Sequence, residues 1–178
     1  THSYSSAASD VYKRQRLGLG YLTQEASIFR DLTVKDNIDL ALQNSSYSRA
    51  AIRSRREQLI NEFNLNNFVD NYGYQLSGGE RRRCEIARAL TVGRKGPKYL
   101  LLDEPFAGID PLAVNDLKKL ILKLSNDGVG ILITDHNVRE TLLITNKSYV
   151  LSEGKILANG SSSELADNPI VKKYYLGD

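Results

Sequence analysis

Tyr99-Leu100-Leu101-Leu102-Asp103-Glu104-Pro105 (YLLLDEP) is the stretch on which the fold of this chain turns. Its apolar residues follow one another without alternation, which describes a short strand apolar on both faces, as in a covered parallel sheet. Two carboxylates stand directly off the carboxyl end of that strand, where open α/β sheets bind their ligands. Adjacent carboxylates repel each other and suit a divalent cation. Mg²⁺ takes one or two of them and completes its shell with phosphate oxygens and water. Asp103 then holds the ion's shell, and Glu104 accepts a proton from an attacking water or orients it. A pair of helix-capping acids would leave the same trace, so the motif has to be weighed with its neighbours.

Upstream, Leu76-Ser77-Gly78-Gly79-Glu80 opens a helix that carries Cys84, Ile86, Ala87 and Leu90. Ser77 and Glu80 have the spacing of a capping box. Gly78 and Gly79 leave the amino end open, so backbone N–H groups can meet an anion closely. Capping alone does not explain two glycines in a first helical turn, where each costs roughly 1 kcal/mol of propensity. Downstream, a helix from about Pro111 buries Leu117, Leu120, Ile121 and Leu124, stops at Gly128, and leads into the strand Gly130–Thr134. Strand, helix, strand at this spacing is a crossover unit, which puts Asp135-His136 beside the end of Asp103-Glu104. His136 there can donate to a phosphate oxygen and fix the attacking water. Gln24 follows the strand candidate Leu17–Leu22 and reaches the same crevice, its carbonyl suited to a metal or a water. Asp110, ahead of Pro111, reads as a helix N-cap.

The remaining elements are modest. Thr33 and Asp36 cap a helix with Ile38, Ala41 and Leu42 as its stripe, and Ser48 caps another with Ile52, Leu59, Ile60 and Phe63. Residues 64–75 form a connector. Ser148–Leu151 and Lys155–Ala158, joined at Glu153-Gly154, make a terminal hairpin. Ser161 and Glu164 form a second capping box, before a short helix that Pro169 ends.

The 178 residues are 41% apolar and 25% charged, with 17 Gly plus Pro, an ordinary globular composition. Aliphatic runs such as Leu100-Leu101-Leu102 are too short to cross a bilayer. Thr1–Ser9 lack the charged-then-apolar order of a signal peptide. Cys84 is the one cysteine, which excludes an internal disulfide and fits a reducing compartment. The net charge is +3, but residues 1–98 hold 16 Lys/Arg against 10 Asp/Glu and residues 99–178 hold 8 against 11. The excess in Arg53, Arg55, Arg56 and Arg81–Arg83 lacks interleaved aromatics, so solvated helix faces are favoured over a nucleic-acid patch.

In their order and spacing, Gln24, LSGGE at 76–80, YLLLDEP at 99–105, AGID at 107–110 and His136 resemble the Q-loop, signature motif, Walker B motif, D-loop and switch histidine of the ABC-type ATPases. The resemblance runs from Leu17 to the C-terminus. It implies an α/β fold: a P-loop NTPase-like core truncated at its N-terminus, with a helical signature subdomain over about 33–92 and a catalytic α/β part over 93–178 ending in the hairpin. Residues 1–15 then form a non-native or disordered leader, and 16–178 a partial ATPase domain.

The resemblance also implies roles. Asp103 binds Mg²⁺ through water, and Glu104 is the catalytic base. His136 contacts the γ-phosphate, and Gln24 senses metal and γ-phosphate. Ser77, Gly78, Gly79 and Glu80 meet the ATP held by the opposite subunit of a head-to-tail homodimer, with Asp110 across that interface. ATP and Mg²⁺ are the implied cofactors, transmembrane permease subunits the partners through their coupling helices, and the cytoplasmic face of the inner membrane the location. No nucleic acid is implied.

YLTQEASIFRDLTVKDNI (21–38), DHNVRETL (135–142) and VKKYYLGD (171–178) resemble, more narrowly, the ATPases of lipopolysaccharide-export transporters. That resemblance implies a groove for the permease at Glu25, Phe29, Arg30 and Leu32. The branched-chain amino-acid importer ATPases are the alternative; they share the core motifs, but their histidine region reads differently.

One departure stands against this pattern. A P-loop needs G-x-x-x-x-G-K-[ST] to cradle phosphates, and the chain has a single Gly-Lys pair, Gly154-Lys155, followed by Ile156 and preceded by Tyr149 where the first glycine belongs. The phosphate-binding strand and helix should precede Leu17. Without them the chain is expected to lose most cis binding of ATP, to be inactive alone and to expose apolar surface as a marginally stable fragment. A non-hydrolysing module that offers only its signature face is then a second reading.

Overall fold

Three parallel strands, β1 (Leu19–Leu22), β2 (Tyr99–Asp103) and β3 (Gly130–Thr134), pair in the order β1-β2-β3. The register sets Leu22 beside Leu102 and Asp103 beside Thr134. This computed structural model describes residues 17–43, 48–93 and 96–176; the expected leader at 1–15 lies outside them.

Strand alternation divides the sheet into unlike faces. Leu22, Leu100 and Leu102 are buried on one face. On the other, Tyr21, Tyr99 and Leu132 are more than half exposed. The expectation that Tyr99–Leu102 is covered on both sides is therefore met on one side only. Asp103 and Thr134 belong to the open face by register, as Tyr21 does.

Four helices accompany this sheet. α1 (Val34–Gln43) starts where Thr33 Oγ1 accepts the Asp36 N–H and donates to the Asp36 carboxylate. It buries Val34, Ile38 and Leu42. α2 (Arg49–Glu62) is capped by Ser48, whose side chain accepts from the Ala51 N–H, and buries Leu59 and Ile60, with Phe63 just beyond. α3 (Gly78–Ala89) buries Cys84, Ile86, Ala87 and Ala89. Its end lies so near β1 that a Cβ at Gly20 would stand 2.6 Å from the Ala89 carbonyl oxygen, so only glycine fits. α4 (Pro111–Asn126) buries Val114, Leu117, Leu120, Ile121 and Leu124 and links β2 to β3. The connector at 64–75 contains two short 3₁₀ turns, Asn66–Phe68 and Gly73–Gln75.

The chain divides into two units at Thr134/Asp135. The second holds α5 (Val138–Leu142), an antiparallel hairpin of β4 (Lys147–Ser152) and β5 (Lys155–Ser161), and α6 (Ser162–Asp167). Its own core is Val150, Leu165 and Val171, with Val138, Leu142 and Ala158 against it. Ser161 and Glu164 form the expected capping box. α6 does end before Pro169, but that proline also opens a further turn, Pro169–Val171, with Asn168 as its cap. Its fixed φ and missing N–H suit a first helical position.

Candidate functional site

β2 delivers Asp103 to the carboxyl edge of the sheet and turns sharply at the next residue. Both Asp103 carboxylate oxygens accept hydroxyls: Oδ1 takes Thr134 Oγ1 at 2.5 Å and Oδ2 takes the Tyr21 hydroxyl at 3.3 Å. Glu104 has φ +46, a left-handed backbone that costs a non-glycine residue of order 1–3 kcal/mol unless its surroundings impose it. They do: its N–H donates to the Thr134 carbonyl at 2.7 Å, and its own carbonyl accepts from Arg82 Nη2 at 2.8 Å. The structure thus sets Glu104, in an imposed left-handed turn, directly after Asp103 at the carboxyl end of β2. Gln24 stands at the same edge, two residues beyond Leu22 of β1, and is exposed.

The amino end of α3 faces the turn that precedes α4. Ser77 caps α3 with Glu80 as its reciprocal partner. Added Cβ atoms at Gly78 and Gly79 would meet the Gly108 carbonyl oxygen at 2.9 Å and the Ala113 Cβ at 2.6 Å. Packing within the chain thus requires glycine at both positions, independently of the anion that the sequence reading assigns to them. Asp110 accepts from the Ala113 N–H at 3.0 Å and caps α4, so LSGGE and AGID meet as one surface of two helix starts.

The loop from Glu25 to Leu32 is built around a residue that sequence reasoning missed. Asn37 is fully buried on α1. Its amide accepts the Phe29 N–H and donates to the carbonyls of Phe29, Leu32 and Thr33. The available signal was an asparagine next to Ile38 within the apolar stripe. Phe29 is 44% exposed, with the Arg88 guanidinium 4.5 Å above its ring, and Glu25 and Arg30 are exposed. Tyr72–Tyr74 lie along the same loop, through the Gly73 N–H to Leu32 O and the Tyr74 N–H to Arg30 O. The two tyrosine rings stack at 5.5 Å. Glu25, Phe29, Arg30 and Leu32 therefore share one supported loop. Beside it opens a cavity of about 730 Å³, lined in part by Phe29, Leu40, Arg88, Tyr21 and Leu101.

Sequence reasoning also missed Arg82 and Glu85 on α3, a buried ion pair at 3.1 Å. His136 belongs to the second unit, with Nδ1 3.8 Å from the Asp135 carboxylate. Among the described residues no group of three or more His, Cys, Asp or Glu could hold a metal. Mg²⁺ does not need such a group, and the Asp103 carboxylate on the open sheet face, with lone pairs beyond its two hydroxyl bonds, fits it. No helix among the described residues is long and apolar enough to cross a membrane.

Parallel strands with a helical crossover and paired carboxylates at their carboxyl ends define an α/β protein of the kind that binds its ligands at the strand ends. The chain belongs to the ABC transporter family, whose sequence profile matches residues 2–107. It is 49% identical over 171 residues to the lipopolysaccharide export system ATP-binding protein LptB of Acidithiobacillus ferridurans, covering 96% of this chain and 70% of that protein. It is 48% identical over 169 residues to LptB of Escherichia coli K12, covering 94% and 69%. In fold it is similar to cbiO1 of Clostridium perfringens, part of an ABC transporter complex, with TM-score 0.77 and 26% identity over 91% of this chain and 64% of that one.

Proposed function

We propose that the chain is the ATP-hydrolysing, energy-coupling subunit of an ABC transporter that drives lipopolysaccharide export. The observation that carries the catalytic part is the imposed left-handed turn at Glu104, beside Asp103 at the end of β2. The near-half identity to LptB proteins supports the transported class.

Asp103 would hold Mg²⁺, which when bound neutralises charge on the phosphates. Thr134 and Tyr21 fix the rotamer of Asp103 through its two oxygens. Glu104 takes the proton of the attacking water, its backbone locked so that the carboxylate does not have to search for its place. His136 and Gln24 orient water and γ-phosphate. Ser77, Gly78, Gly79 and Glu80 present the amino end of α3 to ATP bound by the second copy, and Asp110 lies at that dimer contact. Glu25, Phe29, Arg30 and Leu32 receive the coupling helices of the permease, which places the protein peripherally on the cytoplasmic face of the inner membrane. The assay is run on the protein assembled with its membrane partner. There Glu104→Gln should abolish steady-state hydrolysis while ATP still binds, followed by phosphate release and nucleotide filtration. Hydrolysis at the parental rate would refute the role of Glu104.

A further inference from the structure

We infer that Arg82 and Glu85 are positioning residues which tie Glu104 to the loop proposed to receive the membrane partner, so that the two move as one body. Of the three consecutive arginines at 81–83, Arg82 alone is buried, at 5% exposure, and Glu85 is at 2%. A guanidinium has five N–H donors in a fixed fork, and all five are used. Nη1 donates to the Thr23 carbonyl at 3.0 Å and to Glu85 Oε2 at 3.1 Å. Nη2 donates to the Gln24 carbonyl at 3.3 Å and the Glu104 carbonyl at 2.8 Å, and Nε to the Pro105 carbonyl at 3.4 Å. Four of these acceptors are main-chain oxygens just beyond the ends of β1 and β2, where the sheet offers no ladder partner. The other carboxylate oxygen of Glu85 accepts the N–H groups of Ser27 at 2.7 Å and Ile28 at 3.1 Å. Arg88 extends the line, donating to the Ser27 carbonyl at 2.6 Å and covering Phe29.

The charge pairing itself adds little, because well-packed apolar residues commonly replace a buried ion pair without loss; what distinguishes this pair is the main-chain groups it holds. The Glu104 peptide is gripped at both ends, by Thr134 O and by Arg82. The same guanidinium holds Gln24, and its partner carboxylate holds the first residues of the loop. Displacing Ser27 and Ile28 moves Glu85, then Arg82, then the carbonyl of Glu104. The kinetic consequence rests on the ATPase reading above; the mechanical linkage does not.

The test uses the protein assembled with its membrane partner, comparing the parent, Glu85→Gln and the double variant Arg82→Met/Glu85→Leu. The double variant removes both charges together and leaves none buried alone. It should melt lower than the parent, because four carbonyls and two N–H groups lose their partners, while amide exchange at Ser27 and Ile28 quickens about tenfold or more. The kcat for ATP should fall about 10- to 100-fold with KM changed less than about twofold. Arg82→Lys should not rescue kcat, because an ammonium cannot span the five acceptors. Parental exchange and parental kcat in the double variant would overturn the proposal, as would a lower melting point with kcat unchanged per folded molecule. If the double variant does not fold, Glu85→Gln is judged on the same readouts. A parent without ATPase activity would refute the function proposed above, and exchange at Ser27 and Ile28 would then decide the linkage by itself.

Discussion

Asn37 and Cys84 show how single buried side chains set the behaviour of their surroundings. Asn37 makes four hydrogen bonds from inside the core, three of them to carbonyls at the turn into α1. Asn37→Ala leaves those groups with no water to replace it and should cost about 2–3 kcal/mol, read by urea denaturation with an unchanged m value. Cys84 is fully buried, and that burial pushes its thiol up to about 12. The folded chain keeps the proton that the unfolded chain releases near pH 8.5. The contribution of Cys84 to stability is therefore complete below that pH and is lost as pH rises toward about 12. Stability measured between pH 7 and 10 should fall more steeply for the parent than for Cys84→Ala. The left-handed turn at Glu104 was not legible in sequence, because nothing in YLLLDEP marks a positive φ. The carboxylate pair was legible only together with LSGGE and His136, because two acids after an apolar run also read as helix caps.

Among the elements, α3 packs closely on the start of α4. Gly79→Ala drives a methyl to 2.6 Å from the Ala113 Cβ, and overpacking of this kind costs about 1–3 kcal/mol. Adding Ala113→Gly should recover most of that loss, giving a favourable coupling in a thermal double-mutant cycle. A Gly79→Ala variant as stable as the parent would show that the junction opens in solution. Capping was readable: Thr33, Ser48, Ser77, Asp110 and Ser161 all cap helices as their spacing predicts. The contribution of Asn37 was not, because a polar residue near an apolar stripe does not announce which carbonyls it will meet.

At the scale of the molecule, the sheet shows one covered face and one exposing Tyr21, Tyr99 and Leu132. Isolated as these 178 residues, the chain should bind an apolar-surface dye strongly, and Leu132→Lys should weaken that signal. A weak signal with a sharp melt would count against an open face. The second unit has a core of its own, so Leu165→Ala should speed amide exchange across 147–171 and leave β2 and β3 unchanged. That variant removes a fully buried leucine, at a cost of about 2–5 kcal/mol to its unit.

The sequence alone determined the parallel strands, the caps, the carboxylate pair and the order of motifs, since each follows from periodicity or chemistry within a few residues. The tertiary structure decided how these are held. Arg82 reads as one of three equivalent arginines until the ends of β1 and β2 bring four carbonyls around it. Gly78 and Gly79 read as an anion seat, and only the tertiary structure shows the turn before α4 packed so closely that glycine is needed there in any case. Both depend on segments that meet only when the chain has closed, and local pattern carries no information about which segments those are.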